Sequence, residues 1–164
     1  MKETLSSGRI SMQEIIPGER VSFCFRDPQV RAWLRDVGSV LELYVYKACL
    51  DSGLFSDVRT SAVVDWNGDG KDHAVSNELD VMCTRGITPV FISCKTCMIR
   101  TEALNELAVL RDRFGGEIAR AAIVTAEPAG ASARNRAAEL NIRIIDLGDL
   151  EDGGIGQSIR SLMK

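Results

Sequence analysis

Histidine is almost missing from this chain. His73 is the one imidazole among 164 residues, which argues against a Ser/His/Asp or Cys/His relay by leaving it a single candidate base, and gives too few nitrogen ligands for most zinc sites. No apolar run approaches the eighteen or so residues that a membrane-spanning helix requires, and no N-terminal segment has the apolar core of a secretory leader. An excess of positive charge is missing too. The 20 Lys and Arg stand against 23 Asp and Glu, a net charge of −3, so no global field draws in a polyanion and any such partner must be met locally. The arginines gathered after residue 99 read mainly as solvated helix faces. Gly115-Gly116 lacks the Gly-x-x-Gly or Gly-Lys-Ser/Thr of a nucleotide loop, and a helix stop accounts for it. No internal repeat or low-complexity tract is present.

Five cysteines, an odd number, sit mostly inside apolar runs, and a reducing cytoplasm is the expected compartment. Cys94-Lys95-Thr96-Cys97 is a single CxxC with no second pair, outside the thioredoxin-like setting that a redox motif wants, so Cys94 reads as a buried strand residue. Asp65-x-Asn67-x-Asp69-Gly70 imitates the start of a calcium loop, but its twelfth position is Ser76 where a bidentate Glu is needed, and a hairpin turn explains it better.

The chain is long enough for one domain that buries roughly two-thirds of its unfolded surface. Residues 1–20 hold neither a helical nor a strand period and are expected to be an irregular lead-in or linker to a domain over 21–164. A short strand is expected over 21–25. Asp27-Pro28 is a helix start, and the apolar stripe Val30, Trp33, Leu34, Val37, Leu41, Val45, Cys49 predicts a helix over 29–51. Strands follow over 58–66, 73–83 and 89–95, the first two joined by Asn67-Gly68-Asp69-Gly70 and the next by Arg85-Gly86. A helix from Thr101 stops at Phe114-Gly115-Gly116, after which come a buried strand over 119–125, a helix over 132–140, a strand over 142–145 and a short amphipathic helix over 156–163. The order α-β-β-β-α-β-α-β describes an α/β fold, a mixed central sheet flanked by helices.

Chemistry concentrates where Asn77-Glu78-Leu79-Asp80 and Phe91-Ile92-Ser93-Cys94-Lys95 lie on neighbouring strands. Alternation puts Glu78, Asp80 and Met82 on one face and Ser93 and Lys95 on one face of the next strand. Burying such charges costs several kcal/mol unless they pair or hold a metal. An ordinary ion pair on a solvated strand face is the competing explanation for Glu78, Asp80 and Lys95, and the polar side of a helix the competing one for Glu42.

Glu42 on the first helix, Asp80 on the second core strand and Lys95 ending the third resemble the restriction-endonuclease-like superfamily, whose signature is an Asp followed by Asp/Glu-x-Lys. The wording Gly38-Ser39-Val40-Leu41-Glu42-Leu43-Tyr44, Asn77-Glu78-Leu79-Asp80-Val81, Phe91-Ile92-Ser93-Cys94-Lys95-Thr96 and Ala103-Leu104-Asn105-Glu106-Leu107 is similar to the nuclease domain of the CARF-linked, cyclic-oligoadenylate-activated nucleases of CRISPR antiviral defence. The resemblance covers about residues 21–150. It implies a metal-dependent endonuclease using Mg²⁺ or Mn²⁺ on DNA and, as in some relatives, single-stranded RNA, working as a homodimer. It also implies a CARF sensor domain in full-length relatives, which these 164 residues do not contain. Residue by residue, it makes Asp80 the central metal ligand, Lys95 the residue that orients the attacking water, Glu42 a third acid, and the Cys94 carbonyl a backbone ligand. Ser93 departs from the signature, standing where an acid is expected. Glu78 is the carboxylate that could replace it, and a catalytically inactive nuclease-fold module for nucleic-acid binding or dimerisation is the alternative outcome.

Overall fold

The computed structural model describes residues 10–12, 23–25, 28, 36–65, 76–151 and 154–163. They fall in two compact units, Met1–Val40 and Leu41–Lys164. In the first, β1 (Ile10–Met12) and β2 (Phe23–Phe25) form an antiparallel pair with Ser11 opposite Cys24. The sequence suggests β2 but no strand at β1, which is too short to show a period. Helix α1 (Val37–Asp51) begins where Asp36 caps it, one carboxylate oxygen accepting from the Gly38 N–H at 3.1 Å and the other from Ser39 Oγ at 3.0 Å. An Asp here satisfies amides that the first helical turn leaves without partners. Most of the expected helical stretch before it, and the turn at 67–70, lie outside the described residues.

The second unit is built on a five-stranded sheet in chain order: β3 (Asp57–Asp65), β4 (Ser76–Arg85), β5 (Thr88–Lys95), β6 (Arg120–Thr125) and β7 (Arg143–Ile145). The first three strands form an antiparallel meander and the last two continue it in parallel. Parallel neighbours need a crossover, supplied by α2 (Thr101–Phe114) and α3 (Ala131–Glu139). Two short helices close the chain, α4 (Leu147–Glu151) and α5 (Ile155–Ser161). The sequence suggests α5; α4 is a single capped turn and too short to be read from a period. The turn between β4 and β5 has Gly86 at φ 61°, where a side chain would be strained, and leaves Ile87 almost wholly in solvent.

Helices cover both faces of this sheet. Leu41, Val45 and Cys49 of α1, with Ile155 and Ile159 of α5, pack on Val58, Val81, Cys83, Val90, Ile92, Cys94, Val124 and Ile145. Leu104, Leu107 and Leu110 of α2, with Ala137 of α3, pack on Leu79, Phe91, Ala121, Ile123 and Ile144. Phe91, Ile92, Leu104, Ile123 and Ile145 are fully buried, each contributing about 1.5–3 kcal/mol by leaving water. Side chains of β5 and β6 alternate between the two cores, so these strands read as unbroken apolar runs.

Two features hold the frame. A Cβ at Gly115 would lie 2.4 Å from the Ala119 Cβ and 2.8 Å from the Phe91 ring, so only glycine lets the end of α2 approach the sheet this closely. Asp146, buried after β7, accepts the Ala129 N–H at 2.9 Å and pairs with Arg134, joining the loop after β6 to the start of α4. The Ala129 amide leads in holding this carboxyl below its usual value of 3.8, with Arg134 and the Gly148 and Asp149 amides adding to it against the cost of burial.

Gly115→Ala is expected to lose about 1–3 kcal/mol in urea unfolding, the cost of overpacking a dense contact. Asp146→Asn is expected to lose about 1.5–3 kcal/mol at pH 7. A carboxyl that titrates lower when folded contributes fully above its unfolded value and loses that contribution as pH falls through the native one. The gap between wild type and Asp146→Asn should therefore shrink below about pH 4, which unfolding curves at pH 7 and pH 3 would measure.

Candidate active site

The β4–β5 ladder starts at the Gly86 turn, with Arg85 opposite Thr88, and its last pair is Val81 with Ile92. Beyond it the two strands are held by a side chain. Asp80 Oδ2 accepts the Cys94 backbone N–H at 2.6 Å and the Ser93 hydroxyl at 3.1 Å, and the Lys95 ammonium stands 4.0 Å from the same oxygen. The short amide contact is of the charge-assisted kind, an N–H meeting an ionised acceptor. Three consecutive residues of β5 thus address one carboxylate oxygen by three different groups, leaving Oδ1 as the oxygen not committed to them. The Asp80 side chain is 18% exposed and that of Lys95 38%, so the acid is mostly enclosed while the ammonium reaches solvent. At that exposure the ion pair adds little stability, and its interest is chemical.

Glu42 comes to the same neighbourhood from α1, one residue after the buried Leu41. Its carboxylate acts on the Cys94 thiol, as do Asp80 and Lys95. Burial pushes that thiol far above its ordinary value, the negative charges of Asp80 and then Glu42 push it further, and Lys95 partly opposes them. Three separate stretches therefore converge around Cys94. The same field keeps Cys94 a neutral thiol, which excludes it as a nucleophile. Its amide, not its carbonyl, is the group engaged with Asp80.

Glu78 is placed differently from the simple alternation. Met82 packs with the α2 and α3 core and so does Leu79, whereas Val81 packs with the α1 and α5 core. Sides change between residues 79 and 81, so Glu78 points away from the face of Met82, and it is exposed opposite Val63. The sequence pattern misses this because alternation assumes an unbroken strand. Thr60 Oγ1 on β3 donates to the Asp80 carbonyl at 3.0 Å, a contact whose only signal in the sequence is its level in the hairpin. Among the described residues no three His, Cys, Asp or Glu side chains stand close enough to enclose a metal ion. Asp80, the Ser93 hydroxyl bonded to it, and Glu42, whose charge is felt at Cys94, offer oxygen donors of the hard type. One or two carboxylates with waters suffice for Mg²⁺, so the donor set fits such an ion without a closed cage.

Residues 31–163 match the family model described as the Card1-like endonuclease domain. The chain belongs to this family. Its Card1-like domain has the fold of two longer proteins in particular. VC1899 from Vibrio cholerae superposes with a TM-score of 0.69 at 24% identity, over 86% of this chain and 37% of that one. Can2 from Sulfobacillus thermosulfidooxidans, whose structure holds cyclic tetra-adenylate, superposes at 0.66 with 18% identity, over 93% of this chain and 42% of that one. The domain thus spans about two-fifths of the length of either relative. No curated protein matches it. The family makes this an endonuclease domain. Among the described residues no helix is long and apolar enough to cross a membrane.

Cys97 is exposed while Cys49, Cys83 and Cys94 are buried. Iodoacetamide labelling followed by peptide mass spectrometry should modify Cys97 readily in the native Card1-like domain. Cys94 should react only in denaturant.

Proposed function

We propose that this domain is a metal-dependent endonuclease hydrolysing phosphodiester bonds of DNA, and of single-stranded RNA as a second substrate, within CRISPR-linked antiviral defence. The observation that carries the proposal is the convergence of Ser93 Oγ, the Cys94 N–H and the Lys95 ammonium on one oxygen of Asp80, beyond the last β4–β5 pair. Two hydrogen bonds fix the orientation of the carboxylate, so its other oxygen is aimed without spending side-chain freedom at the moment of use. Asp80 and Glu42 would hold Mg²⁺ or Mn²⁺, with the Cys94 carbonyl as an additional oxygen. Such an ion supplies a polarised phosphate and a more acidic water.

The chain's own part is positional and electrostatic. Lys95, partly in solvent beside Asp80, orients the attacking water and opposes the negative charge that develops on the phosphate oxygens. Ser93 takes a role different from an acid in its place. It donates to Asp80 and adds no negative charge, so the site carries one anionic ligand fewer and holds its ion more weakly. Glu78 stands on the neighbouring strand in solvent, available to a cation or water at the mouth of the site. The Can2 structure holds cyclic tetra-adenylate, which supports an effector governed by a cyclic oligoadenylate; a homodimer under a CARF-type sensor, in a cytoplasmic setting, completes the proposal.

The absence of a three-ligand cluster among the described residues favours one second reading, a nuclease fold that binds nucleic acid or dimerises without cutting. Cleavage of supercoiled plasmid and of single-stranded RNA with Mn²⁺, Mg²⁺ or EDTA distinguishes the two. On the nuclease reading, cutting requires the metal, and Lys95→Ala lowers its rate by about a hundredfold or more. Mn²⁺ at about a hundred times its Kd should stabilise the wild type by about 2.7 kcal/mol, an effect lost in Asp80→Ala. A wild type that neither cuts nor gains stability with Mn²⁺ is the second reading.

A further inference from the structure

The β3–β4 ladder keeps one register from end to end but is interrupted once. Thr60 pairs with Val81 and Ala62 with Leu79, while Ser61 and Asp80, which face each other between those pairs, do not pair. Ser61 is in the left-handed region at φ 52°, where a residue other than glycine, asparagine or aspartate is uncommon. Both strands change sides at this level. On β3, Val58 packs with the α1 and α5 core but Ala62 and Val64 pack with the α2 and α3 core, although strict alternation would put all three on one face. On β4 the change falls between Val81 and Leu79.

Asp80 therefore stands at the crossover itself. Its carbonyl, opposite a residue with which it forms no ladder pair, accepts Thr60 Oγ1 at 3.0 Å instead. Its side chain bridges to β5 and takes the Cys94 amide at 2.6 Å. Local breaks of this kind bend a strand and re-aim a side chain, and strained backbone persists only where the surroundings over-determine it.

We infer that Thr60 and Ser61 are positioning residues that aim the Asp80 carboxylate at the Cys94 amide, so that a two-residue kink in an exposed strand sets the geometry of the site. Neither touches the reacting atoms. Their hydroxyls are small and polar because one must cap a carbonyl and the other must sit at positive φ with no branched side chain to clash. This rests on the reading of Asp80 as the central acid of a nuclease, and its structural half can be measured without cleavage.

The experiment compares wild type, Ser61→Val, Ser61→Gly and Thr60→Val by amide NMR at Cys94, hydrogen exchange and cleavage kinetics. Valine disfavours positive φ and favours a straight strand, whereas glycine accepts the kink. Ser61→Val should move the Cys94 amide resonance away from its carboxylate-bonded position and speed its exchange. It should also lower kcat by roughly tenfold to a hundredfold with KM unchanged. Ser61→Gly should leave all of these as in wild type. Thr60→Val removes only the cap on the Asp80 carbonyl and should move the same resonance in the same direction, which keeps the test open if Ser61→Val does not fold. A Cys94 amide unmoved in Thr60→Val and in folded Ser61→Val overturns the inference. A moved amide in a protein that cuts nothing upholds the positioning role and overturns the nuclease reading.

Discussion

A carboxylate takes the place of a backbone carbonyl in this sheet. Where β4 and β5 stop pairing, the Cys94 amide would be left without a strand acceptor, and a buried amide without a partner costs about 1–3 kcal/mol. Asp80 Oδ2 accepts it. That bond closes the gap between the strands and immobilises the acid that the proposed chemistry uses. Lys95 and Ser93 come to the same oxygen because they flank Cys94 on the same face of β5. Most of the site follows from one substitution of acceptor.

The rest of the fold keeps this opening in place. Ile92 and Cys94 are clamped into the core beneath α1 and α5, while Phe91 is buried in the other core under α2. β5 is therefore anchored on both faces up to the residue before Lys95. β6 lies beside it in parallel, with Thr125 opposite Lys95, and the Ala126 N–H continues the pairing to the Lys95 carbonyl at 3.1 Å. The carboxyl ends of parallel strands are where open α/β sheets place their ligands, and Lys95 ends one of them. The ammonium reaches solvent, while the backbone that carries it is paired with β6.

Burial and charge divide the work within the site. Cys94 stands between Ser93 and Lys95, yet its thiol is kept protonated by burial and by the carboxylates of Asp80 and Glu42. A reactive thiol there would invite oxidation beside the acid. Ser93 gives the carboxylate a hydrogen bond without a second negative charge close by, which avoids the repulsion that two adjacent carboxylates would bring in the absence of a cation.

Much of this was legible in the chain. Turn chemistry at Arg85-Gly86 and the alternating runs around it located β4 and β5. The apolar stripe of Leu104, Leu107 and Leu110, ending at Gly115-Gly116, located α2. These signals are local, set by φ/ψ limits and by the periods of helix and strand. Asp80, Ser93 and Lys95 could be singled out because charged and polar side chains inside apolar runs are costly and so conspicuous, whereas Glu42 entered through the family resemblance. Tertiary structure alone decided how they meet. Met82, Leu79 and Glu78 obey alternation on paper, but the break at Ser61 and Asp80 turns Glu78 to solvent. The strand β1 and the single turn α4 are too short to carry a period. The Asp80 bond to the Cys94 amide depends on where two strands stop pairing, which the packing of helices on both faces sets and no single stretch of residues records.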